Sequence, residues 1–168
     1  MHQFVSTLAV GLLGATGTIA AQGGPPMGGG RMGGGMMGDS AAAVVMPIVH
    51  TLMMNHDKLR RSVTNLPNGV RTITESDDST MVAQLRAHVS TTGELVAQSK
   101  DLTVPPASPV LHALLRNGAQ IVRTVELTPK GVLVTETSAD PTVVSLLQAH
   151  AAEVSELVAK GMAALHKR

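Results

Sequence analysis

The chain of 168 residues has no cysteine, tryptophan or tyrosine, and its single phenylalanine, Phe4, lies near the start. Without cysteine there is no disulfide, no thiolate metal site and no thiol nucleophile. Without aromatic rings in the body of the chain there is no platform for stacked bases, no aromatic cage and no sandwich for a flat cofactor. Charge is scarce too, with 13 Lys and Arg against 12 Asp and Glu for a net +1, and no long basic run supplies the footprint of a duplex-binding protein. Together these absences argue against nucleic acid as a partner. There is also no G-x-S-x-G, no H-E-x-x-H, no phosphate-binding loop and no dinucleotide fingerprint, so no enzyme class is indicated. What is present is 43% hydrophobic, enough to bury a core made of Val, Leu, Ile, Ala and Met.

Residues 1–21 have the layout of a secretory signal peptide: an apolar stretch over Phe4–Ile19 and a small-residue exit at Thr18-Ile19-Ala20-Ala21. The usual Lys or Arg of the n-region is missing. The apolar run is diluted by Gly and Thr and falls short of the ~20 residues of a span, which argues against a membrane anchor after cleavage. The predicted location is periplasmic or secreted. Residues 22–40, QGGPPMGGGRMGGGMMGDS, are low in complexity and read as a flexible tether. Met27, Met32, Met36 and Met37 place four thioethers on it, the ligand type that selects Cu(I), with no geometry specified by the spacing. The same methionines are open to oxidation.

The remainder, 41–168, reads as one domain made by internal duplication. Residues 47–97 align without a gap on 109–159, and 20 of the 51 pairs are identical. Each copy opens with a proline before a short apolar run, predicting a short helix from Pro47 and from Pro109. Alternating strands follow on either side of Pro67-Asn68-Gly69 and Pro129-Lys130-Gly131, where Pro-x-Gly predicts a tight hairpin with glycine free to take positive φ. Asp78 and Asp140 stand where the N-cap of a second helix belongs. Along that helix Met81/Val143, Leu85/Leu147, His88/His150, Thr92/Val154 and Leu95/Leu157 recur at 4-3-4-3 spacing, a core-facing stripe. Two α-β-β-α repeats side by side predict an α+β fold, a four-stranded antiparallel sheet covered on one face by helices about a pseudo-twofold axis.

The duplication also selects candidate site residues. His88 and His150 are equivalent and lie on the apolar stripe, where an unpartnered imidazole is costly. They read either as core histidines with hydrogen-bond partners or as a pair brought together to hold a metal ion or a haem iron. His50 and His112 form a second equivalent pair that would complete a four-histidine site or lie at the helix surface. His56 and His166 have no mates and read as exposed. Arg61 and Arg123 share a strand face with Val63 and Val125, and Glu94 and Glu156 are equally symmetric. A partly buried Arg–Glu pair in each repeat is the economical reading, with an anion or carboxylate clamp as the functional alternative. The acidic run Glu75-Ser76-Asp77-Asp78 keeps only a serine and the capping aspartate in its copy, so capping explains it better than a calcium loop.

The strings NHDKLRRSVTNLPNGVRTITESDD and KGVLVTETSADPTVVSLLQAHAAEVSELVAKGMAALHK resemble a family of small exported bacterial proteins of uncharacterised function, over about residues 48–168. The resemblance implies export and a shared duplicated fold. It also implies that His56, His88 and His150 belong to the family pattern, which brings His56 into the candidate metal set. Asp77-Asp78-Ser79 departs from the proline usual there, and the Met/Gly tether is peculiar to this chain. The expectation is an exported binding module with a histidine-held metal, copper, or haem as ligand. The alternative is an interaction subunit of a cell-envelope complex, with a protein partner there and no ligand of its own.

Overall fold

In each repeat the chain reverses at a proline-containing dipeptide. β1 (Leu59–Leu66) and β2 (Gly69–Ser76) flank Pro67-Asn68, and β3 (Val122–Thr128) and β4 (Gly131–Thr137) flank Pro129-Lys130. In this computed structural model the described residues are 40–101 and 108–167. The predicted leader, most of the tether and its four methionines lie outside them. The strands form one antiparallel sheet in the order β1-β2-β4-β3, so the repeats meet along a β2–β4 ladder that runs from Gly69↔Thr137 to Glu75↔Gly131. The duplicated α+β architecture is therefore the one the sequence implies.

The glycines of the turns act differently from expectation. Among the described residues positive φ occurs at Ser99 and Gly161, and neither Gly69 nor Gly131 adopts it. What requires glycine is closeness. A Cβ at Gly69 would overlap the carbonyl oxygen of Glu136, and one at Gly131 would overlap that of Thr74, both on the neighbouring central strand. Each turn also seals the other repeat's strand: Ser76 N donates to Lys130 O and Ser138 N to Asn68 O, at 2.9 Å each. Charge reinforces one of these contacts, since Asp77 accepts from both Lys130 and Arg60, which hold its carboxyl down to about 2.

Helix α1 (Ser40–Met54) begins seven residues before the predicted start and carries Pro47 inside it. The extra turns persist because Ala42 and Val45 bury against Leu95 and Leu115, while Ala43 and Pro47 lie exposed, so the carbonyl that loses its intrahelical donor can face water. Its counterpart α3 (Pro109–Arg116) starts as expected, with Ser108 as N-cap and proline in the first turn. The long helices α2 (Ser79–Ala97) and α4 (Pro141–Lys160) are capped by Asp78, which accepts from Thr80 N and Met81 N, and by Asp140, which accepts from Thr142 N at 2.7 Å. Asp140→Ala is expected to cost about 1 kcal/mol, read as a lower urea midpoint with an unchanged slope.

All four helices lie on one face of the sheet. The inward positions of the central strands, Val70, Thr72, Thr74, Val132 and Val134, are buried beneath them. On the edge strands Val63 of β1 and Val125 and Leu127 of β3 stay exposed. Buried side chains gather into three clusters: Ala42-Val45-Leu95-Leu115, Leu52-Met53-Leu59-Met81-Leu85, and Val70-Leu114-Val143-Leu147-Ala151. The space between them is a cavity.

Candidate functional site

The cavity between sheet and helices has a volume of about 280 Å³ and lies at the join of the two repeats. Most of its wall is aliphatic. Arg61 from β1, Arg123 from β3, His88 from α2 and His150 from α4 all line it, as do the carboxylates Glu136 and Glu153. Helical spacing explains the histidines: each lies three residues beyond a buried leucine, Leu85 or Leu147, and so turns to the same face. Pleating explains the arginines, which alternate with exposed residues and point to the helix side of the sheet.

Several nitrogens at this site are sealed from water without a hydrogen-bond partner among the described residues: the donors Arg61 Nε and Arg123 Nε and Nη1, and Nδ1 of both His88 and His150. Arg61 Nη1 donates to Thr74 Oγ1 at 2.7 Å. Arg123 Nε stands 3.3 Å from Glu136 Oε1, near enough for a charge pair but outside hydrogen-bond geometry. Burial pushes the Arg61 guanidinium down to about 10, opposed by the field of Glu136. Burial, and then the charges of Arg123, His150 and Arg61, push His88 down to about 4, so its ring is neutral at pH 7. His88 keeps some exposed surface, while its Nδ1 is enclosed. His150 Nδ1 lies 3.9 Å from Glu153 Oε2, which also accepts from Ser108 Oγ at 2.6 Å.

The equivalent histidines 88 and 150 thus share one cavity with the equivalent arginines 61 and 123. The other predicted residues do not join them. His50 is exposed on α1, and His112 Nδ1 pairs with Asp101 Oδ1 at 2.6 Å, so no four-histidine cluster forms. His56 is half-buried rather than exposed, its Nδ1 bonding to Val158 O at 2.8 Å; its ring packs where a Cβ on Gly161 would fall. The side chain of His166 lies outside the described residues. Among the described residues no group of three or more His, Cys, Asp or Glu side chains is placed to hold a metal ion.

The expected Arg–Glu pairing also needs correction. Glu94 and Glu156 are exposed on the outer helix surfaces, Glu156 with Lys160 one turn on at 2.9 Å. The arginines point the other way, across the sheet, and take Thr74 and Glu136 as partners. Sequence reasoning missed Glu136. Its signal was present as a mismatch between the copies, threonine at 74 and glutamate at 136, on the strand that pairs with each arginine. No family model, characterised protein or solved structure matches the chain. The site is therefore interpreted from its own chemistry.

Proposed function

We propose that the protein is a binding module that takes a small ligand into the cavity between its sheet and helices, with Arg61, Arg123, His88 and His150 as the polar contacts. The supporting observation is the combination of a largely aliphatic cavity of about 280 Å³ with unpartnered nitrogens on the residues that line it. Its size approaches the lower bound for small-molecule pockets, about 300 Å³. The enclosed, unpartnered nitrogens carry a desolvation cost. A ligand that fills the space and bonds to them removes it.

The test exploits the lack of tryptophan and tyrosine, which leaves the protein without background fluorescence. A naphthalene sulfonate dye should bind the full chain at one site and brighten. Val154→Phe, which puts a ring into the cavity from α4, should abolish that signal while preserving the far-UV circular dichroism. Dye binding unaffected by Val154→Phe would rule the cavity out. A second reading, in which His88 and His150 hold a metal ion or haem, is favoured by the unpartnered Nδ1 atom of both rings. It requires stoichiometric uptake of copper, zinc or haem that is lost on His88→Ala with His150→Ala, and uptake unchanged by that pair of substitutions would dismiss it.

A further inference from the structure

The two repeats differ at one position that decides the charge balance of the cavity. Arg123 faces Glu136 across the β3–β4 ladder, and at the equivalent place across the β1–β2 ladder Arg61 faces Thr74. Repeat two therefore carries a counter-anion for its own arginine. Repeat one offers a hydroxyl, which accepts from Arg61 Nη1 and brings no charge. Arg61 Nε remains sealed and unpartnered, and the carboxylate whose field reaches this guanidinium, Glu136, is the one that stands against Arg123. Threonine is also shorter than glutamate, and Thr74 lines the cavity.

We infer that the cavity binds an aliphatic monocarboxylate, its carboxylate beside Arg61 as the Glu136 carboxyl lies beside Arg123, and its chain along the aliphatic walls. The inference rests on the cavity being a ligand site and adds the class of ligand. Each part of the site selects against an alternative. An inorganic anion would meet the guanidinium and leave the apolar walls empty. An alcohol of the same length would fill the walls and leave a buried cation unpaired, which is the costly half of such a pair to abandon. A dicarboxylate would drive its second charge against Glu136 or Glu153. Arginine suits the task because its planar fork meets both oxygens of a carboxylate. Because the repeats differ here, the ligand has one orientation and binds once per chain, despite the pseudo-twofold.

Calorimetric titration of the full chain with linear carboxylates from butanoate to dodecanoate, and with octanol and octylamine, tests this. The expected result is a single site that tightens about fourfold per added methylene until the cavity is full and then weakens. Octanol should bind at least tenfold more weakly than octanoate, and octylamine more weakly still. Arg61→Gln should remove the preference for octanoate over octanol, weakening octanoate and leaving octanol binding no weaker than in the wild type. Thr74→Glu, which supplies the carboxylate from within, should abolish octanoate binding and raise the thermal midpoint of the ligand-free protein. Equal affinity for octanoate and octanol, or octanoate binding intact in Thr74→Glu, overturns the carboxylate and leaves the cavity as a ligand site. Failure of the whole series and of both controls to bind overturns the two readings together.

Discussion

Replacing Gly69 with alanine is expected to destabilise the protein by at least about 3 kcal/mol, the range of severe overpacking, and to lower the thermal midpoint by about 10 °C or more. Gly131→Ala should do the same. The added Cβ in each case meets backbone alone, the carbonyl of residue 136 and the Cα of 137 in one repeat, and the carbonyl of 74 and the Cα of 75 in the other. No side-chain rotation relieves such a clash, so the β2–β4 ladder must open. Gly69 and Gly131 pair at opposite ends of that ladder, and either substitution splits the sheet where the two repeats join. Asn68→Ala, in the exposed turn beside Gly69, serves as the control and should move the midpoint by a degree or two. A midpoint for Gly69→Ala equal to that of the control would mean that the central strands separate at little cost.

Acidification should act through His88. Its folded-state value of about 4 lies below the ordinary 6.5 because burial disfavours the imidazolium, and Arg123, His150 and Arg61 repel it. Glu136 and Glu153 also line the cavity. Because the unfolded chain takes up the proton first, the contribution of the neutral ring to stability is complete above about pH 6.5. It is lost as the pH falls towards 4. At 1.36 kcal/mol per pH unit the loss amounts to about 3 kcal/mol. Urea unfolding between pH 7 and 4 should show this slope, and His88→Gln should remove it while leaving the acid response of the surface carboxylates. A pH dependence identical in the wild type and in His88→Gln would place the ring in a wetter setting than the one described.

Much of the fold could be read because each copy of the repeat checks the other. Proline at 47 and 109, Pro-x-Gly at 67–69 and 129–131, and aspartate at 78 and 140 mark the same boundaries twice; the aspartates cap as expected, and the turns fall where expected although their glycines serve close packing rather than positive φ. Proline 47 did not, since local propensity set a helix start that tertiary packing of Ala42 and Val45 moved upstream. The stripe on the long helices placed His88 and His150 inward correctly, because 3.6-residue periodicity is a property of one segment. Glu94 and Glu156 misled because symmetry shows that a residue is repeated without showing which way it points. Both sit on the outer helix surface, while the partners of the arginines lie on other strands, at distances set by ladder register. The most informative residue, Glu136, breaks the symmetry, and a comparison tuned to identities passes over it.

The hydrogen bonds from Ser76 N to Lys130 O and from Ser138 N to Asn68 O tie each turn to the end of the other repeat's central strand, and this has a kinetic meaning. Each hairpin closes a loop of two residues and needs only microseconds. The β2–β4 ladder joins Glu75 to Gly131 and Gly69 to Thr137, and its closure waits on the ordering of a long intervening segment, the kind of non-local contact that slows folding. Neither repeat encloses the cavity alone. The pocket therefore comes into being at the docking of two preformed hairpins, late on the folding path. A ligand able to enter it can hold the repeats together after that event, but it has nothing to bind before.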